Sequence, residues 1–276
     1  MPVRVHPPRR LTTDGLYKKD VRWSPDGKRI AFARSHGGEF TIWTIAPDGT
    51  GLRQVTPSQS TKASQYEPDW SPDSARLVYV SYTFAGTDGF LHLHTISADG
   101  GDSRRIVTGP QFNMHPAWSP DGRTIAFCSN RHGNPEIYLC DADGGGVRRI
   151  TSDPAMDQHP SWSPDGRQIA FDSNRDGDWE IYTMAADGSG VRRLTRHPST
   201  DTHPRWSPDG RHIAFVTFRD GNDEVYVMDP DGGSPVNVSN HPAWDKFPAW
   251  RPDSRALAWV SYRGGVPDLY VAEIEW

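Results

Sequence analysis

The sequence predicts an all-β fold, a six-bladed β-propeller forming a single domain over residues 1–276, and three observations lead to it. A segment of the form W-S-P-D recurs along the chain, with its proline at Pro25, Pro72, Pro120, Pro164, Pro208 and, as W-R-P-D, Pro252. These prolines are 47, 48, 44, 44 and 44 residues apart, and a period of roughly 40 to 50 residues that holds several short strands is typical of propeller blades. The 26 glycines and 24 prolines recur at fixed places, which indicates turns rather than disorder.

Each blade is predicted to contain four antiparallel strands, and the copy that begins at His159 illustrates the pattern. Pro160 opens the first, innermost strand, where its missing N–H is harmless, and Trp162 offers apolar surface to a neighbouring blade. Proline second and glycine fourth in S-P-D-G are the preferences of a type I turn. The second strand carries I-A-F, apolar on both faces as in a sheet that is covered on both sides. The third strand carries E-I-Y and the fourth R-R-L-T.

The predicted blades cover about residues 13–56, 57–108, 109–151, 152–195, 196–239 and 240–276, and residues 1–12 complete the last one. The final repeat has three strands and no R-R-L-T, whereas an isolated R-R-L-T occupies residues 9–12. Closure of the ring by this segment would leave fewer exposed strand edges. The paired arginines of the fourth strands are predicted either to discourage edge-to-edge aggregation or to form a binding rim.

Composition and charge exclude some classes of function. A net charge of -5 without a basic cluster argues against a nucleic-acid partner. No stretch is as long and apolar as a membrane span or a secretory leader, so a cytoplasmic location is expected for the chain as it stands, or a periplasmic one if a signal sequence was removed. A monomer is expected. Cys128 and Cys140 fall on neighbouring strands but out of register, which argues against a disulfide.

Ring closure is predicted to gather a candidate site at one mouth of the central channel. The segments entering the first strands meet there with the turns that join the second and third strands. The residues predicted to lie just before the first strands are Asp20, Glu67, His115, His159, His203 and Phe247. Two residues earlier stand Lys18, Gln65, Asn113, Asp157, Asp201 and Asp245. The mouth is therefore expected to be rich in histidine and carboxylate.

Two interpretations of this mouth are open. Neutral imidazoles and carboxylates are suitable ligands for zinc, manganese or nickel, so a divalent metal held by His115, His159 and His203, or an anionic ligand, is one hypothesis. Under the other, D-x-H-P is a structural element in which the aspartate caps backbone N–H groups and the histidine bonds a neighbouring blade. Recurrence in several blades favours the structural interpretation. Asp172, whose counterparts in other blades are apolar or nearly so, is expected to meet a partner such as an arginine or a water.

Aromatic side chains outside the repeat motif form a further candidate surface. Trp179, in a predicted turn, and Trp244, in a predicted inter-blade loop, are expected on the face of the channel mouth. They could anchor a peptide or stack on a sugar, or fold over their own loops. The long loop predicted from Ser81 in the second blade is a candidate for specificity or for tolerated drift.

The repeat H-P-x-W-S-P-D-G-R-x-I-A-F-x-S-N-R-D-G-x-x-E-I-Y resembles that of TolB-type six-bladed propellers over essentially the whole chain. TolB itself binds a lipoprotein partner, so the resemblance implies a binding scaffold. Similar propellers precede the hydrolase domain of prolyl-oligopeptidase-like enzymes, but this chain has no G-x-S-x-G nucleophile elbow. Oligogalacturonate lyases use a related propeller with a metal held by histidines, which keeps an enzyme among the alternatives.

The expected function is a non-catalytic propeller that binds a protein, peptide or small ligand at the channel mouth. The alternative is a metal-dependent lyase or hydrolase that uses the histidines there, and no catalytic residue or certain cofactor is assigned. The candidate ligand-binding residues are Asp20, Glu67, His115, Asp157, His159, Trp179, Asp201, His203, Trp244 and Asp245.

Overall fold

The computed structural model describes residues 3–57, 64–85, 88–109 and 111–276. Within these residues the regular elements are strands, twenty-five in number, and they form six antiparallel sheets. No helix in this part of the chain has the length and apolar character needed to cross a membrane.

The sheets are the six predicted blades, each with its first strand innermost. The first three are β3–β6 (Lys18–Trp23, Ile30–His36, Glu39–Ile45, Arg53–Gln54), β7–β10 (Gln65–Trp70, Arg76–Ala85, Asp88–Ser97, Arg104–Val107) and β11–β14 (Asn113–Trp118, Thr124–Ser129, Glu136–Asp141, Arg148–Arg149). The fourth and fifth are β15–β18 (Asp157–Trp162, Gln168–Asp176, Asp178–Ala185, Arg192–Arg193) and β19–β22 (Asp201–Trp206, Ile213–Thr217, Glu224–Met228, Val236–Asn237). The sixth contains β23–β25 (Asp245–Trp250, Ala256–Ser261, Asp268–Glu275). Where a long loop was predicted from Ser81, β8 and β9 continue the sheet as a hairpin; its tip, residues 86–87, lies outside the described residues.

The N-terminal segment closes the ring, as predicted. Two short strands, β1 (Arg4–Val5) and β2 (Arg9–Arg10), both pair antiparallel with β25, the third strand of the last blade. Leu11 is buried in the apolar cluster between the last and first blades. The first and last blades are therefore joined without a covalent link, because the outer strands of the last blade come from the other end of the chain.

The hydrophobic core is divided into six layers, one between each pair of neighbouring blades. In the layer between the third and fourth blades, Ile137 and Leu139 pack against Ile169 and Phe171. These second and third strands are apolar on both faces because each blade is covered on both sides. Cys128 lies opposite Ile137 in the sheet, and both cysteines are buried and free, as predicted.

The innermost strands begin three residues earlier than predicted, and the candidate residues therefore lie inside them. In the fourth blade Gln158 pairs with Asp172 and Ser161 with Ala170, so that His159 and Pro160 together face a single residue. This extra residue is a β-bulge, repeated in every blade. The third residue of each inner strand adopts a left-handed conformation, with φ between 49° and 60°, at Asp20, Glu67, His115, His159, His203 and Phe247.

A buried carboxylate on the third strand fastens the fourth strand in several blades, a feature that the repeat pattern did not reveal. Glu180 is fully buried and accepts hydrogen bonds from Arg193 (2.6 Å), the Thr195 hydroxyl and the backbone N–H of His197 (2.8 Å). Glu136 makes equivalent contacts with Arg149, Thr151 and the Asp153 N–H, and Glu224 accepts hydrogen bonds from the Ser239 hydroxyl and the His241 N–H, with Asn222 in place of an arginine. The second arginine of R-R-L-T is therefore more than an edge charge in the fourth blade, because it is paired inside the sheet.

Burial of His94 in the second blade predicts a loss of stability in acid. Its ring lies beside Tyr79 and bonds Ser103 (3.0 Å), and burial lowers the pKa of His94 to about 4. The unfolded chain, with a histidine pKa of about 6.5, takes up this proton first, so the stabilisation is complete above that pH and is lost as pH falls towards 4. We expect His94→Gln to remove up to about 3 kcal/mol of the difference in unfolding free energy between pH 7 and pH 4. Urea denaturation at pH 7 and at pH 4 gives the two unfolding free energies and hence their difference.

His36, which is exposed, supplies the control for this measurement. His36→Gln should keep the pH dependence of the unaltered protein. An equal pH dependence in His94→Gln and His36→Gln would contradict the assignment of the effect to His94.

Candidate functional site

The six bulged residues converge at one end of the channel and form what we call the histidine mouth, defined as Asp20, Glu67, His115, His159, His203 and Phe247. The imidazole rings of His115 and His159 lie 3.8 Å apart between centroids, and those of His159 and His203 are also 3.8 Å apart. Phe247 closes the row with its ring 5.5 Å from that of His203. On the other side Glu67 lies 3.3 Å from the Nε2 atom of His115. Neighbours in this row come from neighbouring blades, so ring closure brings them together.

Carboxylates in and beside the mouth link one blade to the next. Asp20 accepts a hydrogen bond from the backbone N–H of Glu67 (3.2 Å), and Glu67 accepts one from the N–H of His115 (2.6 Å). Asp172 accepts the N–H of His203 (2.8 Å). Although burial opposes its ionisation, the neighbouring His115 holds the pKa of Glu67 well below its usual range. Each of these bonds satisfies the N–H of a bulged residue.

Among the described residues, the hydrogen-bond partners of Asp172 are two histidines. Asp172 lies on β16, is fully buried, and accepts a hydrogen bond from the Nδ1 atom of His159 (2.9 Å) in addition to the His203 N–H. Burial raises the pKa of Asp172 to about 6. A carboxylate on Nδ1 orients an imidazole and leaves its Nε2 free, the arrangement that carboxylates impose on metal-binding histidines.

The side chains of His159, Asp172 and His203 could hold a metal ion. One ligand atom from each lies within 4.8 Å of the others. Burial lowers the pKa values of His159 and His203 well below their usual range, so both rings are neutral and able to donate a lone pair. The Nδ1 atoms of His115 and His203 are both buried, and neither has a hydrogen-bond partner among the described residues. A nitrogen and oxygen donor set of this kind fits zinc or manganese.

The aspartates two residues before the bulge lie elsewhere, within their own blades. Asp157, Asp201 and Asp245 are fully buried, and each carboxylate bonds an arginine of its own blade. The arginine partners are Arg175, Arg219 and Arg263, at distances of 2.8, 2.9 and 2.8 Å. The carboxylates of these three aspartates are thus engaged by arginines of their own blades, and they are not members of the row of stacked rings.

The two additional tryptophans are half-buried and not isolated. Trp179 is the second residue of β17 rather than part of a turn, because β16 and β17 extend beyond the predicted strand ends. Trp244, just before β23, stacks on Tyr262 with ring centroids 5.5 Å apart and packs against the core between the last and first blades. Trp244 therefore contacts its own blade, one of the two alternatives proposed for it.

Exposed apolar side chains surround the histidine mouth, and sequence reasoning missed them. Each follows a second strand or precedes a first strand, and because these strands are antiparallel both positions lie on one face. The Ser35 N–H, for example, bonds the carbonyl of Tyr17 (2.8 Å), and the Asn130 N–H that of Phe112. We call Tyr17, Phe112, Met156, Phe218 and Tyr262 the mouth rim; each is 41% to 48% exposed. For Phe112 and Met156 the signal in the sequence was an apolar residue directly before N-M-H-P and D-Q-H-P, and for Phe218 and Tyr262 it was an aromatic residue directly after the second strand.

The opposite end of the channel has an apolar opening, which we call the proline mouth. It is lined by the prolines of all six W-x-P-D turns, Pro25, Pro72, Pro120, Pro164, Pro208 and Pro252, and encloses about 410 Å³. The turns hold the expected conformation, since the Gly166 N–H bonds the carbonyl of Ser163 (2.9 Å) and Asp165 accepts the Ser163 hydroxyl. Six prolines in the same register could have indicated this ring from the sequence.

Comparison with known proteins agrees with this architecture. The family model described as TolB beta propeller domain matches residues 48–203 and 196–275. A protein TolB homolog of Chlorobium luteolum is 29% identical over 158 residues, and the Tol-Pal system protein TolB of Bordetella pertussis is 33% identical over 151 residues. These matches cover 44% and 40% of this chain, but only 36% and 34% of the relatives.

Solved structures give the same fold. The putative TolB from Agrobacterium tumefaciens superposes with a TM-score of 0.73 at 26% identity, over 96% of this chain and 93% of that one. An oligogalacturonate lyase in complex with manganese has a TM-score of 0.67 at 19% identity, over 100% and 97% of the two chains, a level at which only the fold is shared. With the family model matching most of its length, the chain belongs to the TolB-type β-propeller family.

Proposed function

We propose that this chain is a non-catalytic propeller scaffold that binds a protein or peptide through the face of the histidine mouth. The observation that carries the proposal is the mouth rim, five exposed apolar side chains around a polar opening. Large exposed apolar side chains around a concave polar centre are typical of protein-binding surfaces. Similarity to proteins named as members of the Tol-Pal system supports a protein partner and favours the periplasmic alternative over a cytoplasmic location.

The electrostatics of the mouth define which segment would fit. Asp20, Glu67 and Asp172 bring carboxylates to the opening, whereas burial keeps His159 and His203 neutral. A partner segment that presents apolar side chains to the rim and a basic side chain or other cation to the opening would be complementary. The ammonium group of Lys19 lies over the ring of Tyr66 (3.8 Å to its centroid) and 3.6 Å from Asp20, so it compensates that carboxylate and leaves Glu67 and Asp172 to complement the partner's cation.

A peptide selection tests the proposal. Peptides enriched from a displayed random library on the intact protein should bind the double variant Phe112→Ser, Phe218→Ser at least about tenfold more weakly, because these side chains lose contact area at the rim. Binding would be measured by fluorescence polarisation. Leu52→Ser with Val191→Ser is the matched control, since both are exposed apolar residues that precede fourth strands. Equal binding to both double variants would refute the proposal.

A metal-dependent lyase or hydrolase is the second candidate, and the cluster of His159, Asp172 and His203 favours it specifically. The two histidines would hold the ion, with Asp172 either as a ligand or as the group that orients His159. A bound divalent ion would supply Lewis-acid activation of a substrate oxygen. Fold similarity to an oligogalacturonate lyase in complex with manganese supports testing acidic oligosaccharides as substrates.

Metal titration decides whether this candidate is viable. After treatment with a chelator, the protein should bind Mn²⁺ or Zn²⁺ in isothermal titration calorimetry. The double variant His159→Ala, His203→Ala should show no binding, and Asp172→Asn should bind about 10- to 100-fold more weakly. The exposed His36→Ala is the control and should not change affinity. Absence of metal binding by the unaltered protein would eliminate the enzyme candidate and leave the scaffold proposal intact.

A further inference from the structure

Between the two mouths the channel contains what we call the arginine cavity, a space of about 200 Å³. The ionisable residues in its wall are Arg22, Asp69 and Arg205, and Ser161 adds a hydroxyl group. Each is the fifth residue of its inner strand, two positions after the bulge, so this layer lies one step along the channel from the histidine mouth. The wall thus contains two guanidinium groups and one carboxylate.

The single carboxylate of the wall is already engaged. Asp69 accepts a hydrogen bond from the Trp118 backbone N–H (2.8 Å), and its other oxygen lies 3.5 Å from the Nε atom of Arg22. Arg22 also donates to the carbonyl of Val21 (2.7 Å). The charges of Arg22 and Asp69 therefore compensate each other.

Arg205 has no such close ion pair among the described residues. Its one hydrogen-bond acceptor among the described residues is the carbonyl of Pro204 (2.9 Å), and no described carboxylate lies within 4.0 Å of its guanidinium group. Its Nε atom is buried and has no partner in the described part of the chain. The guanidinium group of Arg205 therefore gives the cavity wall an excess of positive charge, which an anionic ligand would neutralise.

Other donors in the same wall are also unpaired. The indole Nε1 atoms of Trp23, Trp118 and Trp206 are buried without a partner among the described residues, and all three rings line the cavity. The hydroxyl oxygen of Ser161 accepts a hydrogen bond from the backbone N–H of Trp206 (3.2 Å), and its own hydrogen remains available to donate. These indole nitrogens are buried inside the wall, so the donors that face the cavity are the guanidinium groups of Arg22 and Arg205 and the Ser161 hydroxyl group, which suit an acceptor-rich anion.

We propose that the arginine cavity is a binding site for a phosphate-class oxyanion, either free or as the head group of a larger molecule, held by the guanidinium groups of Arg205 and Arg22. At about 30 Å³ per water, the cavity has room for a tetrahedral oxyanion with a few waters. The proline mouth shares Trp23, Asp69, Trp118 and Trp250 with the cavity and provides its entrance. The site is therefore separate from the mouth rim and does not depend on the proposed peptide binding.

Thermal unfolding and calorimetry with inorganic phosphate test the site. In buffers of matched ionic strength, phosphate should raise the Tm of the unaltered protein relative to chloride, because it binds the folded state. Arg205→Met keeps the length of the side chain but removes the charge. We expect this variant to have an equal or higher Tm without phosphate and to bind phosphate roughly 10- to 100-fold more weakly.

Two further variants make the outcome decisive. Arg148→Met removes an exposed arginine of the outermost strand and should respond to phosphate as the unaltered protein does. Arg205→Lys retains a charge and should retain part of the response. The proposal is overturned if phosphate leaves the Tm and heat signal of the unaltered protein unchanged, or if Arg205→Met and Arg148→Met bind it equally well.

Discussion

Deletion of residues 1–12 should abolish cooperative unfolding or lower the Tm by more than about 10 °C. The deletion removes β1 and β2, exposes the edge of β25, and takes the buried Leu11 out of the core between the last and first blades. It also removes Arg10 and Thr12, which bond the fully buried Asp268. A buried carboxylate that loses partners costs about 3–5 kcal/mol, and in a protein of this size each kcal/mol corresponds to roughly 2–4 °C.

Differential scanning calorimetry would measure the effect, and a synthetic peptide of residues 1–12 provides the control. Added in excess, the peptide should restore a cooperative transition, because the closure is non-covalent. Thr12→Val should show a smaller loss, since Arg10 and Lys18 remain bonded to Asp268. A truncated protein with an unchanged Tm would contradict closure by this segment.

Glu180→Ala should destabilise the protein by about 3–5 kcal/mol, because it leaves Arg193 and the Thr195 hydroxyl without their buried partner. Glu180→Gln should cost less, since its amide oxygen can still accept hydrogen bonds from these groups and from the His197 N–H. Chemical denaturation with fixed m-value analysis gives the unfolding free energies. Asp187→Ala, an exposed turn residue of the same blade, is the control and should change stability by less than about 0.5 kcal/mol. Equal losses in Glu180→Ala and Asp187→Ala would contradict this role.

These two predictions concern one structural device used in two settings. In the fourth blade Glu180 and its partners lie close together in the sequence. In the last blade, by contrast, Asp268 is bonded by Thr12 and Arg10 from the other end of the chain. The comparison therefore separates the strength of the contact from the entropy of closing the ring. It also explains why the isolated R-R-L-T was informative, since its threonine fills the same role as Thr195.

The channel contains two chemically different layers with separate entrances. Carboxylates and neutral histidines stand at the histidine mouth, whereas Arg22, Arg205 and Asp69 line the cavity that lies between it and the proline mouth. Asp172 belongs to the first layer because one apolar position of the repeat has become acidic, and Arg205 belongs to the second because one variable position has become basic. The proposed peptide, metal and phosphate experiments test the layers independently.

Strand pairing within a blade, the number of blades and the partner of the N-terminal segment could be predicted from the sequence, because each depends on contacts between residues close in the repeat or on a motif missing at one end. The free cysteines followed from the same local register. The residue types of the histidine mouth were predicted from the sequence, but the arrangement of their side chains was not. His159 was expected before a strand, and the β-bulge that turns it towards His115 and His203 was not foreseen.

By itself the sequence determined the repeated elements, since turn residues and apolar patterns act over a few neighbouring positions. Only the tertiary structure decided that Asp157 is paired with Arg175 of its own blade, that Asp172 joins two histidines, and that Arg205 lines the channel cavity without a close ion pair among the described residues. The physical reason is that these environments are created by side chains from different blades, or from separate strands of one blade, and the distances between them are set by the curvature of the closed ring.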